Sequence, residues 1–276
     1  MATQETDANL DITVFRGFKE TGKYIWSPFV IKLEARLRFG GVRYKTDVGS
    51  PRVGPKGKIP YIECRDLSAS PLQGGKRNSS EQKVQLGDST LIAKTLTEWG
   101  VLPDLSAGLD PSKKLQDLAV KALLEEKLYF FENWEHWIQH YYDKRDTILW
   151  SVPYPMRIIV GFLLYRSIAA TLHGQGTGRF TAKEIEEFRH EIWETIGAQL
   201  VTSRSSSKGG DKEPFWILGG EQPTEADACL FGFIVAAWIS TAGPKSRQDI
   251  KEFPVLLDYA GRIHERYFPD YEKWAE

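Results

Sequence analysis

The stretch Gly54–Glu63, GPKGKIPYIE, decides the fold. Tyr61 and Ile62 favour a strand, whereas Pro60 has no N–H for a ladder and is tolerated only at strand starts, edges or bulges. Two readings stand side by side. In one, Pro60 simply begins the strand. In the other the Ile59–Pro60 bond is cis, since proline lowers the cis penalty to about 0.5–1 kcal/mol, and the turn offers the backbone N–H and C=O of Ile59 to a ligand.

Working outward, ITVFRG, VRYKTDV, PYIEC and KVQLG read as strands, while SPFVIKLEARLRFG and STLIAKTLTEWG carry helical periodicity. The order is strand, helix, strand, loop, strand, strand, helix. A β-α-β crossover requires a parallel pair, and the two consecutive strands form a hairpin, so a mixed sheet is predicted. The connection DLSASPLQGGKRNSSEQ is expected to be an exposed hairpin loop, and MATQETDANL a disordered lead-in over 1–10.

Beyond Leu102 nearly every run is helical. The helical segments are SKKLQDLAVKALLEEKLYFFENWEHWIQHYY, the Arg157–Leu172 segment, TAKEIEEFRHEIWETIGAQLV and TEADACLFGFIVAAWIST. The chain of 276 residues therefore divides into a small α/β domain over 11–102 and an all-helical domain over 110–276. TSRSSSKGGDKEP reads as a polar insertion between two helices. MRIIVGFLLYR, bracketed by Arg157 and Arg166, falls short of the ~20 residues of a bilayer span and is expected to be a buried helix.

Thirty-six Lys and Arg against 37 Asp and Glu give a formal net charge of -1, a balance that does not point to a nucleic-acid partner, and none is expected. Cys64 and Cys229 lie far apart without a CxxC pattern, which suits free thiols in a reducing compartment; the expected localisation is cytoplasmic. His136 and His140 stand at i, i+4 but lack a third ligand and the glutamate of a zinc protease, so no metal is expected. GSPRVGPKGK lacks the Gly-Lys-Ser/Thr of a phosphate loop, which argues against nucleotide binding.

Three helix starts concentrate polar groups. In WSPFVIK, Ser27 sits at an N-cap and Pro28 at the first helical position. Helix N-termini favour an anion or a thiolate, and a hydroxyl there can donate to sulfur. Ser27 is either that donor or only the cap, and Tyr24 is either a rival donor or a packing residue. In LGDST, Asp88 and Ser89 open the next helix, either as cap alone or as a site for both charges of an amino-acid head group. In PTEAD, Thr224 and Asp227 form a capping box, and Asp227 reads as a folding residue. Trp134, Trp137 and Tyr141 recur at helical spacing, as a core stripe or as a hydrophobic pocket wall.

Ser-Pro-Phe at a helix start, the Gly-Lys-Ile-Pro turn, the Asp-Ser helix start and the Thr-x-x-Asp box together resemble a glutathione S-transferase over roughly residues 11 to 272. SPFVIKLEARLRFGGV, GPKGKIPYIE, GTGRF and LGGEQPTEADACLFG are similar to its failed-axon-connections and metaxin-like branch. The resemblance implies a thioredoxin-like first domain with a cis Pro60, and a C-terminal helical bundle. It implies that glutathione is held by the Ile59 backbone, by Asp88 and Ser89 at its γ-glutamyl end, and by Lys58, with Lys45 as a lesser candidate, at its glycyl carboxylate. Ser27 matches the thiolate-stabilising position, and the length of the Gly17–Ser27 loop leaves Tyr24 as the alternative. The implied activity is glutathione addition to a small, apolar, electrophilic substrate lying against Trp134, Trp137 and Tyr141, as a transferase or a cis–trans isomerase. The alternative is a non-catalytic, metaxin-like interaction protein on the same fold. No transmembrane segment is expected, and a homodimer is left open.

Overall fold

The computed structural model describes residues 11–65, 83–207, 209–210 and 212–275. The expected lead-in over 1–10 and the whole of the expected loop DLSASPLQGGKRNSSEQ, 66–82, lie outside the described residues.

Strands β1 (Thr13–Phe15), β2 (Lys45–Asp47), β3 (Tyr61–Arg65) and β4 (Lys83–Gly87) form a mixed sheet in the order β2-β1-β3-β4. β1 and β2 are parallel, joined across helix α1 (Pro28–Phe39), and the other pairs are antiparallel. Helix α2 (Ser89–Glu98) follows β4 directly. Ile12, Val14, Leu33, Leu37, Ile62, Cys64, Ile92 and Leu96 close the core between sheet and helices. This is a thioredoxin-like domain.

The register decides where the site lies. Phe15 pairs with Tyr61, and Tyr61 pairs with Gly87. The C-terminal ends of β1 and β4 and the N-terminal end of β3 therefore share one edge of the sheet, with Pro60 and Asp88 both one residue beyond it. Gly17 also reaches this edge. A Cβ on it would lie 2.6 Å from Ile59 Cδ1, and its φ of +81° is one that glycine adopts without steric penalty.

The helical domain comprises α3 (Pro111–Leu123), α4 (Tyr129–Trp134), α5 (Tyr141–Ile148), α6 (Tyr154–Gln175), α7 (Ala182–Ser206), α8 (Glu225–Ile239), α9 (Pro244–Glu252) and α10 (Pro254–Tyr267). Helix α8 is almost wholly buried and packs along α1, joining the domains. Gly232 permits this approach, since a Cβ there would stand 2.5 Å from the Pro28 carbonyl oxygen. Asp227 is the folding residue that its capping box implies. Its carboxylate accepts from the Thr224 N–H and hydroxyl at 2.7 and 2.9 Å, from the Ile217 N–H at 2.8 Å and from the Tyr259 hydroxyl at 2.9 Å.

Three expectations are corrected. The run from Ser112 to Tyr142 is not one α-helix, because π-helical turns at Leu124–Leu128 and Glu135–Gln139 interrupt it and His140 leaves helical geometry at φ -121°, ψ 42°. The segment TSRSS of the expected polar insertion instead completes α7. The apolar run Met156–Tyr165 is not buried: Met156, Ile159, Phe162 and Leu163 in α6 are 51–59% exposed. At 22 residues α6 is long and apolar enough to cross a bilayer, yet only 11% of its most apolar window is buried. Burial needs a partner surface, and α6 meets one chiefly at Gly161, where Arg145 and Tyr141 approach, and at Leu172.

Candidate functional site

The loop that leads to α1 is tied down by Arg16, which is 1% exposed and donates to the carbonyls of Glu20 and Lys23 while pairing with Glu34 at 3.0 Å. That anchoring sets the position of Ser27. Ser27 caps α1, with Oγ accepting from the Val30 N–H at 3.4 Å, a long bond that engages the hydroxyl weakly as an acceptor. The positive end of the α1 dipole lies at this hydroxyl.

The Ile59–Pro60 peptide is cis. Among the described residues the N–H and C=O of Ile59, on a half-buried turn, make no hydrogen bond to protein, so both are open to water or to a ligand. Across the same sheet edge, Asp88 caps α2 by accepting from the Thr90 and Leu91 N–H groups, both at 3.1 Å. Asp88 does so at φ 78°, the one positive φ among the described non-glycine residues. A non-glycine residue held there costs on the order of 1–3 kcal/mol, and such strain concentrates where a ligand is clamped. Ser89 beside it is 5% exposed. Lys32, buried in α1, reaches Thr90 Oγ1 at 2.7 Å and pairs with Glu125, so the two helix starts are cross-braced. Lys58 is exposed on the turn before Ile59, while Lys45 is directed to Asp11 at 2.8 Å and away from a ligand role.

Of the two readings of Tyr24, its contacts favour the packing residue. Its hydroxyl is bonded to His264 Nδ1 at 2.8 Å, and its ring packs among Phe231, Phe268, Tyr271 and Trp274. Burial pushes its hydroxyl well above the usual tyrosine range.

The residues flanking Ser27, Trp26 and Pro28, line a small cleft between the domains, together with Tyr129, Glu132, Asn133, His136, Lys144 and Ala236. The proposed aromatic wall is not part of it. Trp137 is 3% exposed and packs beside Tyr141, Tyr141 continues to Tyr165 on α6, and Trp134 packs against the helical core. The face offered to the cleft is instead that of Tyr129, Glu132, Asn133 and His136, spaced at i, i+3, i+4 and i+7. The sequence reading weighed His136 only as half of a metal-ligand pair and passed over Tyr129, Glu132 and Asn133; the available signal was carboxylate and imidazole at i, i+4 inside an otherwise aromatic helix.

Glu132 is 4% exposed and its Oε1 has no hydrogen-bond partner among the described residues. Burial pushes its carboxyl up to about 8. Lys144 Nζ stands 3.2 Å from His136 Nδ1 and 5.6 Å from the Trp26 ring centroid, and burial pulls it down to about 8. Burial and the Lys144 charge hold His136 well below the usual histidine range, so it is neutral, accepting from Lys144 at Nδ1 with Nε2 3.4 Å from Ser240 Oγ. A second cleft, of about 1050 Å³, lies around Ser206, Trp216, Glu221 and Arg266, and none of its lining residues belongs to the sheet domain.

Residues 28–144 match the family model described as the glutathione S-transferase N-terminal domain. Among solved structures, glutathione transferase GSTFuA3 from Phanerochaete chrysosporium is 18% identical, with a TM-score of 0.54 over 96% of this chain and 99% of that one. A glutathione transferase family member from Pseudomonas fluorescens pf-5, solved with two glutathione bound, is 14% identical with a TM-score of 0.53 over 96% and 92%. FzlA from C. crescentus is 12% identical with a TM-score of 0.53 over 96% and 93%. No curated protein matches.

Proposed function

We propose that the chain, whose residues 28–144 match the glutathione S-transferase N-terminal domain and whose fold is that of solved glutathione transferases, is a glutathione-dependent enzyme of serine type. The observation that carries this reading is the unpartnered Ile59 backbone, set on the same sheet edge as the strained Asp88 and beside Ser89. A peptide laid along that edge would exchange backbone hydrogen bonds with Ile59 and present its amino-acid head group to Asp88 and Ser89. Lys58 would meet the far carboxylate as a point charge. The cysteinyl sulfur would then reach the start of α1, where the helix dipole and the Ser27 hydroxyl favour the thiolate. The ionised thiol adds to an electrophilic carbon held in the cleft. If the adduct is released the protein is a transferase; if addition is followed by rotation and expulsion it is a cis–trans isomerase.

The test is calorimetric titration with reduced glutathione. Saturable binding is expected, weakened in Asp88→Ala and Ser89→Ala, with the bound thiol's pKa raised in Ser27→Ala. No heat up to millimolar glutathione would refute the reading. That outcome would favour the second one, an interaction protein on a transferase fold, for which the exposed apolar face of α6 is the specific support.

A further inference from the structure

We propose that His264 and the segment that follows α10, residues 268–275, form the positioning element of the thiol site: through Tyr24 and Arg16 they fix the loop that aims the Ser27 hydroxyl. The inference rests on the glutathione reading above. It goes beyond that reading by naming residues that act through Ser27 without touching the ligand.

The helix alone does not aim that hydroxyl. The Ser27 carbonyl accepts from the Val30 and Ile31 N–H groups at 3.2 Å, whereas Oγ engages the Val30 N–H at 3.4 Å. The rotamer of a side chain follows its backbone φ and ψ, and Ser27, at φ -103° and ψ 108°, takes them from the chain that enters α1. That entering chain, residues 16–27, holds no helix or strand.

Its anchors come from far along the sequence. Tyr24, 9% exposed, is bonded through its hydroxyl to His264 Nδ1 at 2.8 Å, and its ring packs on Phe268, Tyr271 and Trp274. The Gly22 carbonyl accepts from the Glu272 N–H at 2.8 Å. Arg16, which donates to the Glu20 and Lys23 carbonyls, pairs with Glu34 Oε1, and the Tyr271 hydroxyl donates to that same oxygen at 2.9 Å. The segment is itself pinned. Arg38 pairs with Asp270 and donates to the Tyr267 carbonyl at 2.7 Å, and Trp238 Nε1 donates to the Ala275 carbonyl at 3.0 Å.

A loop that needed only to join β1 to α1 has no use for a buried ion pair. Arg16 and Glu34 are 1% and 0% exposed, and Glu34 Oε2 has no hydrogen-bond partner among the described residues. Desolvation cancels much of what such a pair returns, and an apolar pair of similar size is often as stable. What the pair adds is direction. A planar guanidinium with two carbonyls and one carboxylate at fixed places admits a single path for the loop. Tyr24, His264 and Tyr271 are not among the lining residues of the cleft, so substituting them leaves the contacts proposed for glutathione in place.

The test follows the pKa of bound glutathione by thiolate absorbance against pH on the full chain, and the affinity for S-methylglutathione, which has no thiol to ionise, by calorimetry. Ser27→Ala should raise that pKa by about one unit or more, the worth of a hydrogen bond to a charged group. Tyr24→Phe keeps the ring and removes only the bond to His264; Tyr271→Phe removes only the bond to Glu34. Each should raise the pKa by at least about half a unit, with S-methylglutathione affinity held within about twofold. In a Ser27→Ala background neither should raise it further. An unmoved pKa in both variants, whatever their urea midpoints, would make the ties structural alone and overturn the inference while glutathione binding stands. A parallel loss of S-methylglutathione affinity, or an equal shift in the Ser27→Ala background, overturns it as well. Failure of the wild type to bind either ligand, or an unmoved pKa in Ser27→Ala, overturns the serine-type reading, and this inference with it.

Discussion

Replacing Glu132 by glutamine should change the pH dependence of stability more than stability itself. The carboxyl is buried beside Arg189, Lys144, Glu135 and Asp249, and burial outweighs the cations in raising its pKa from 4.5 to about 8. Between those two values the folded protein holds a proton that the unfolded chain has released. The contribution is therefore complete below about pH 4.5 and is lost as pH rises through about 8. At about 1.36 kcal/mol per pKa unit, the part lost between pH 5 and pH 8 is roughly 3 kcal/mol. Glutamine does not titrate, so Glu132→Gln should lack this slope. Urea denaturation of both proteins at pH 5 and pH 8 measures it: the wild type should lose about 3 kcal/mol relative to the variant over that interval. Parallel profiles, within about 1 kcal/mol, would mean that Glu132 ionises as in water. The dry, donor-lined cleft would then be refuted.

Asp227→Ala removes the acceptor of four buried hydrogen bonds and should destabilise by roughly 3 kcal/mol or more, read from the urea midpoint, with no selective effect on ligand binding. Gly232→Ala sets a methyl 2.5 Å from the Pro28 carbonyl and 2.9 Å from the Lys32 nitrogen, both backbone, so α1 and α8 must part. A thermal melt should show a loss of roughly 1–3 kcal/mol. Phe162→Ser and Leu163→Ser, at exposed positions on α6, should each shift stability by no more than about 0.5 kcal/mol in the same assay. A larger loss in the isolated chain would show that α6 is covered.

The first domain was legible because its signals are local. Ser27-Pro28, the turn before Tyr61 and Asp88-Ser89 each depend on backbone rules that act within a few residues, and the mixed character of the sheet followed from which consecutive strands had a helix between them. The choice between Ser27 and Tyr24 was not local. It turns on His264, 240 positions away, whose imidazole takes the Tyr24 hydroxyl into an aromatic cluster built largely from the C-terminal helices. No spacing near residue 24 encodes that contact.

The cleft face was missed for a different reason. Two faces of one helical run compete: Trp134, Trp137 and Tyr141 carry the stronger apolar signal, while Tyr129, Glu132, Asn133 and His136 lie at i, i+3, i+4 and i+7 on another face. It is the second that meets Trp26 and Pro28. Which face meets the cleft is settled by what covers the other one: Trp137 packs beside Tyr141, and Tyr141 beside Tyr165 on α6. Those contacts come partly from a helix that follows in the chain, and no spacing within 129–141 encodes them.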